Sequence, residues 1–374
     1  MTIEFRDLKR QYQTNKNEID QAIADVLKSG TCIGGEPVKK LEKELADYVG
    51  VKHCITCANG TDALTLVLLA WGIGEGDAVF VPDFTFFATA EVVAYAKATP
   101  IFIEVDERTF NMDPHKLENA IQEVISKGEL NPKVIIPVDL FGLPANYPEI
   151  EQIASKYGLL VLEDGAQGFG GHINGKRACS FGHAATTSFF PAKPLGCYGD
   201  GGAIFTNDDE LAELLNSLKV HGKGKDKYDN VLIGMNSRLD TIQAAILLVK
   251  LKAFIEHEVE DVNKIASIYN RELNGIVETP YIPEGYYSSY AQYTIKLQNK
   301  EARDKLQDFL KAQEIPTMVY YSKKMSEQTV FIDYKVEEYE TDNLTERVLS
   351  LPMHPYLKDE NLQEILKNIQ LMLI

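Results

Sequence analysis

Short apolar runs alternate along the first two-thirds of the chain with longer stretches whose apolar positions recur every three or four residues. The runs His53–Ala58, Ala78–Pro82, Thr99–Val105, Val134–Asp139, Leu159–Glu163, Ala185–Phe190 and Gly202–Thr206 predict strands. Several are rich in Val and Ile and lack polar alternation, as strands buried on both faces do. Helical patterns fill the gaps. Glu36–Tyr48 places Val38, Leu41, Leu45 and Tyr48 on one face. Pro114–Ile125 opens with Asp113 as N-cap and proline at the first helical position, and Glu149–Tyr157 stops at Gly158. Strand–helix alternation of this length predicts an α/β domain built on a mainly parallel sheet.

The texture then changes. A helical pattern free of Pro and Gly runs from about Asp240 through Tyr269. Pro280, Pro283 and Gly285 mark a loop, Tyr290–Leu297 alternates like a strand, Glu301–Ala312 reads as a helix, Pro316–Tyr321 as a strand, and a last helix runs from about Lys358. This predicts a smaller α+β domain. The boundary is placed near the middle of the long helix, giving a large domain over 1–250 with an N-terminal arm over 1–14, and a small domain over 251–374. The 374 residues suit such a pair, because single cores stop growing near ~250–300 residues.

Charge narrows the partners. With 55 acidic against 38 basic residues the net charge is −17, which repels a nucleic-acid backbone but leaves room for a local basic pocket. The five cysteines are odd in number and scattered, so no disulfide framework is expected. Cys54 and Cys57 have C-x-x-C spacing, but no second pair completes a metal site; they read as buried thiols, and no metal is expected. The first residues are charged and lack an apolar core, so no secretory signal is read there. The apolar stretch Ala63–Ile73 is too short to span a bilayer. A cytoplasmic protein without membrane partners is expected.

Candidate chemistry gathers at strand ends. Asp164 closes a buried strand, at the edge where open α/β sheets bind ligands; a carboxylate there is either structural or aimed at a ligand. Lys193, in SFFPAKPLGCYGDGG, lies between a buried strand and a Gly-rich turn, stiffened by Pro191 and Pro194. It is either a solvated loop lysine or an amine whose pKa is lowered for attack on a carbonyl. An acid and a lysine so placed suggest pyridoxal phosphate (PLP), the acid facing the pyridine nitrogen and the lysine the aldehyde carbon. A phosphate needs oriented N–H donors, and Asn59-Gly60-Thr61-Asp62 opens a helix directly after a strand. That run is otherwise a plain helix start. Ser188 could add a hydroxyl, and Phe86 a flat ring, or simply core packing.

The motifs NGTDAL, PDFTFFATA, LEDGAQGFG, SFFPAKPLGCYGDGGAIFTND, VHGK and NSRLDTIQAAIL together resemble the DegT/DnrJ/EryC1/StrS family, nucleotide-sugar aminotransferases of PLP fold type I. The likeness runs from IEFRDLKRQY to LPMHPYL, almost the whole chain. It implies an aspartate aminotransferase-like fold with a mainly parallel seven-stranded sheet. It implies Lys193 as the Schiff-base lysine, Asp164 on the pyridine nitrogen and Gln167 near the phenolic oxygen. Gly60, Thr61 and Ser188 would form the phosphate cup, Phe86 would stack on the ring, and Asn236 would reach the phosphate of the neighbouring subunit in a homodimer with shared sites. Arg238 would contact the sugar or form an interface ion pair. Two stretches depart from the family pattern, at Gly165 and at Tyr320 with Ser322, the latter standing for the usual proline. Gly165 stands in EDGAQ where EDAAQ is usual, a change expected to be benign. Val319-Tyr320-Tyr321-Ser322 stands where many members have His-Tyr-Pro, so Tyr320 takes the place of a histidine in the expected sugar pocket.

The resemblance further implies ping-pong transfer of an amino group from glutamate to a nucleotide-linked keto sugar. NSRLD, YAQYTIKL and LPMHPYL look most like enzymes acting at C3 of UDP-2-acetamido-2-deoxy-3-oxo-glucuronate. Amination at C4 of a 4-keto-6-deoxy sugar is the alternative. A PLP sugar dehydratase is a further one, against which the retained Lys193 speaks; so is a regulator of this fold, against which the charge and the want of a visible DNA-binding segment speak.

Overall fold

The computed structural model describes residues 3–226, 228–332, 334 and 343–373. All seven expected strands form and join one sheet: β1 (His53–Cys57), β2 (Asp77–Pro82), β3 (Thr99–Ile103), β4 (Asn131–Ile135), β5 (Leu160–Asp164), β6 (Ala184–Ser188) and β7 (Gly202–Thr206). Their order across the sheet is β1-β7-β6-β5-β4-β2-β3. Pairing is parallel from β6 to β3, while β7 runs antiparallel to both β6 and β1. The mainly parallel expectation therefore holds with one reversed strand. Val79, Phe80 and Val81 in the middle of β2 are fully buried, as the unbroken apolar run requires when helices cover both faces.

The expected strand over Val134–Asp139 is displaced. The ladder covers Asn131–Ile135, because Pro137 has no N–H to donate, and beyond it only Val138 bridges Asp164. Helices form where apolar spacing and caps predicted them. Pro114–Lys127 starts on Asp113, whose carboxylate accepts from the amides of His115 and Lys116. Tyr147–Tyr157 stops at Gly158 with φ +68°. The expected N-terminal arm is itself helical, over Leu8–Thr14 and Lys16–Ser29.

The long helix is continuous but changes winding: α-helix over Thr241–Ala253, a π turn over Phe254–Glu258, and α-helix again over Val259–Leu273. The apolar clusters divide near this turn. Leu247, Leu251 and Phe254 pack with the sheet, whereas Val262, Ile265, Tyr269 and Leu273 pack with the C-terminal elements. Those include a two-stranded antiparallel sheet of β8 (Tyr293–Lys296) and β9 (Val348–Leu351). The expected strand over Pro316–Tyr321 is not formed. Met318 makes a single bridge to Ser350, after which the chain turns away, and β9, which the apolar pattern had not singled out, is the true partner of β8.

Phe254 anchors the π turn in the apolar cluster that packs on the seven-stranded sheet. It is 2 % exposed, its ring centroid lies 5.5 Å from that of Phe169, and it fills the space over Gly170, where a Cβ would meet its Cζ at 2.7 Å. Phe254→Ala should cost ~3–5 kcal/mol by lost burial and cavity formation, read from the midpoint of chemical denaturation. A loss below ~1 kcal/mol would show that the turn is not held by this ring.

Candidate active site

The sheet topology brings the candidate residues to one edge. β1, β5 and β6 end there, and the reversed β7 begins there, so that Cys57, Gly202 and Ser188 stand side by side in register. Asp164 is the last residue of β5 and Ser188 the last of β6. Phe86 follows β2 and caps the helix Phe87–Tyr95.

Asp164 is 5 % exposed. Its Oδ2 accepts from Thr89 Oγ1 at 2.8 Å and its Oδ1 from the Ala166 amide at 3.2 Å. Burial pushes its pKa up; Thr89, the Lys193 charge and the Ala166 amide each pull back. Behind it lie two more buried carboxyls. Asp139 Oδ1 accepts from Tyr147 at 2.7 Å and from the Ala145 amide at 3.0 Å, and Glu163 Oε2 accepts from the Phe181 amide at 2.8 Å. Burial raises Asp139 to about 7 and raises Glu163 as well, and the two interact directly. Three buried carboxyls thus stand together, and desolvation favours the protonated form of each.

Lys193 is held in its loop by its own amide, which donates to the Phe190 carbonyl at 2.8 Å. Burial lowers its pKa to about 8, against the attraction of Asp164 and with help from the Arg6 charge. An amine in this state is neutral about one time in ten at pH 7, roughly two hundred-fold more often than an ordinary lysine at about 10.4, which favours a nucleophile or proton carrier.

The helix Gly60–Ala70 points its N-terminus at the same edge. Asn59 caps it by accepting from the Asp62 amide at 2.8 Å, which leaves the amides of Gly60 and Thr61 without an acceptor inside the helix. The approach is close enough to demand glycine. A Cβ at Gly60 would lie 2.8 Å from Ser188 Cβ, and one at Gly202 would lie 2.5 Å from the Asn59 carbonyl. Ser237 Oγ accepts from the Ala58 amide at 3.0 Å and fixes the turn from a third element. Two free amides, two hydroxyls and a helix terminus suit a phosphate. Asp164 and Lys193 beside them suit an aromatic base with a reactive carbonyl, so the donor set fits pyridoxal phosphate.

Gln167 is buried, accepts from the Phe141 amide at 2.8 Å and donates to the Tyr321 hydroxyl at 3.2 Å. Tyr321 stands 6.2 Å from Phe86, ring to ring. Phe86 is 52 % exposed, so core packing does not account for it. Tyr320 is half-buried against Phe5, at 6.3 Å between centroids. Asn236 is exposed, its backbone bridging Val220. Arg238 is half-exposed and forms no ion pair with a described residue. These two are not drawn into the cleft by contacts within their own chain.

Thr89, Ser237 and Tyr321 were not singled out from the sequence. Thr89 had a signal, as a hydroxyl in the largely apolar helix ATAEVVAY one turn beyond Phe86. Ser237 and Tyr321 had none beyond adjacency to named positions. Gly165 proves to be required in place: a Cβ there would meet Cys179 Sγ at 2.6 Å and the Thr186 carbonyl at 3.1 Å.

A family profile described as the DegT/DnrJ/EryC1/StrS aminotransferase family matches residues 13–370. The chain is 48 % identical over 364 residues to the UDP-2-acetamido-2-deoxy-3-oxo-D-glucuronate aminotransferase of Pseudomonas aeruginosa, covering 97 % of this chain and 98 % of that one. A crystal structure of a DegT DnrJ EryC1 StrS aminotransferase from Brucella abortus superposes with a TM-score of 0.96 at 49 % identity, covering 99 % of both chains. NtdA of Bacillus subtilis, solved with bound cofactor PMP, superposes with a TM-score of 0.87 at 30 % identity, covering 96 % of this chain and 82 % of that one.

Gly165→Ala should destabilise the fold by ~1–3 kcal/mol through overpacking, and Cys179→Ala in the same chain should restore part of that loss. Thermal or denaturant unfolding of the two single variants and the double variant measures the coupling. Strict additivity would mean that Cys179 does not restrict this position.

Proposed function

Because the chain belongs to the DegT/DnrJ/EryC1/StrS aminotransferase family, we propose that it moves an amino group from glutamate to the C3 keto group of a UDP-linked 2-acetamido sugar, a uronate in the first instance, with PLP as cofactor. The observation that carries the reading is the convergence of a buried carboxylate, Asp164, and a lysine of lowered pKa, Lys193, beside a helix N-terminus lined by Gly60, Thr61 and Ser188. The C3 position follows the named activity of the Pseudomonas relative, and the cofactor follows the PMP named for NtdA.

When bound, PLP supplies an aldehyde that takes up the amino group and a ring that accepts electrons. Asp164, oriented by Thr89 and the Ala166 amide, would hold a proton at the ring nitrogen. The amides of Gly60 and Thr61 and the Ser188 hydroxyl would bind the phosphate. Phe86 would cover the ring, and Gln167, positioned by the Phe141 amide and Tyr321, would serve its phenolic oxygen. Lys193 Nζ takes the proton from the α-carbon of glutamate and, in the second half of the cycle, delivers a proton to C3 of the sugar.

We place the domain boundary at the π turn, the small domain bringing Tyr320 and Tyr321 over the cleft. The protein acts as a homodimer in the cytoplasm. Supporting the dimer, Tyr228 and Ile233 are 86 % and 89 % exposed on the segment that leads to Asn236 and Arg238, and a second copy would cover that apolar surface. In that arrangement Asn236 serves the neighbouring phosphate and Arg238 the sugar. Among the described residues no helix is long and apolar enough to cross a membrane.

Lys193→Ala should lose turnover by at least ~10²–10⁴-fold, the worth of a positioned acid–base, while still binding PLP without a covalent link; near-wild-type turnover would overturn the assignment. Capture of PLP by the apoenzyme, followed by absorbance, should quicken as pH rises through about 8 and level off above it. A profile that breaks only near ~10.4, the ordinary lysine value, would show that the amine is not desolvated. Offered a 3-keto UDP-uronate and a 4-keto-6-deoxy sugar nucleotide with glutamate, the enzyme should aminate the first; amination of the second alone would transfer the site to C4 chemistry.

A further inference from the structure

Arg6 enters the cleft from the N-terminal arm without an acid of its own. One guanidinium nitrogen, Nη2, donates to the Ala291 carbonyl at 3.3 Å. No carboxylate of a described residue lies within ion-pair distance of it. The acids nearby are already engaged. Asp7 caps the helix Leu8–Thr14 by accepting from the Arg10 amide at 2.8 Å. Glu258 Oε1 accepts from Gln11 at 3.0 Å and from Tyr356 at 2.6 Å. Burial lowers the Arg6 pKa to about 10, with Glu258 the larger opposing influence and Tyr320 the lesser.

Its surroundings place it at the reacting end of the cleft. Phe5, its neighbour, sets its ring 6.3 Å from Tyr320; the Tyr320 and Tyr321 rings lie 5.6 Å apart; and Tyr321 stands 6.2 Å from Phe86 while bonding Gln167. The charge of Arg6 is felt at Lys193, at Lys250 and at His354. Three cationic side chains, Arg6, Lys193 and Lys250, thus share a region whose facing carboxylates are Asp164 and Glu258. The expected phosphate lies elsewhere, at Gly60 and Ser188. A partly buried guanidinium with donors to spare, whose charge is felt at Lys193, can receive an anion, and its planar fork matches a carboxylate.

We propose that Arg6 is a specificity-determining residue that receives a substrate carboxylate beside Lys193. This rests on the aminotransferase reading and deepens it. Two substrates carry that group, the donor glutamate and a uronate acceptor, and the chemistry at Arg6 is the same for both. Tyr320, at the position where many members of the family have histidine, packs edge-on against Phe5 and feels the Arg6 charge.

The holoenzyme tests this in its two half-reactions, each followed by the absorbance of the cofactor. L-glutamate is the probe for the first. A 3-keto UDP-uronate and its counterpart with a neutral hydroxymethyl group at C5 are the probes for the second. Arg6→Met should weaken one carboxylate-bearing probe by ~10–100-fold, the range for a charge-assisted pair, with the neutral sugar unchanged; Arg6→Lys should recover part of the loss. A loss for glutamate assigns Arg6 to the donor, and a loss for the uronate but not its neutral counterpart assigns it to the acceptor. Unchanged binding of every probe, or an equal loss for all three, overturns the proposal. Failure of the underlying reading is distinct: wild-type protein would then show no cofactor colour and no bleaching with glutamate.

Discussion

A carboxyl group held in a buried place at the end of a strand is the constraint around which the site is arranged. Asp164 stands at the end of β5 with little access to water, where desolvation favours the protonated acid. The surroundings oppose that tendency with a hydroxyl from Thr89, an amide from Ala166 and the positive charge of Lys193. Asp139 and Glu163 lie behind it, and burial raises both of them as well. The same burial lowers the amine at Lys193, so one desolvated environment sets the acid and the base together.

The cup at the helix start depends on a different feature, the reversal of β7. An antiparallel strand between β1 and β6 brings its first residue, Gly202, to the edge where its neighbours finish. Glycine there admits the Asn59 carbonyl, and glycine at 60 admits Ser188. The two amides of the helix start and the serine hydroxyl can therefore converge on one anion. A side chain at either glycine would hold those elements apart, and the cup would open.

The N-terminal helices and the C-terminal elements meet at the long helix. The π turn at Phe254–Glu258 marks where the long helix passes from one apolar cluster to the other, and Glu258 on that turn gathers Gln11 of the arm and Tyr356 of the C-terminal region. Lys250, 1 % exposed one turn earlier, is lowered to about 8 by burial. The N-terminal segment is thereby tied to the long helix, with Arg6 bonded to the Ala291 carbonyl and its charge felt at Lys193.

The sequence alone determined the alternation that makes an α/β sheet, because buried parallel strands must read as unbroken apolar runs and their helices as 3.6-residue patterns. It also determined Lys193, Asp164 and Gly60 as candidates, since each interrupts such a pattern at a strand end or helix start. Departures in local structure arose where hydrogen bonding overrode apolarity: at Pro137, which ends β4 early, and at Met318, where the ladder with Ser350 holds for a single pair. Only the tertiary structure decided what Gly165, Thr89, Tyr321 and Arg6 do. Gly165 is needed because Cys179, from a distant loop, occupies the space of its missing Cβ. Thr89, Tyr321 and Arg6 draw their meaning from partners on other elements, and distances across a fold are not written in the spacing along a chain.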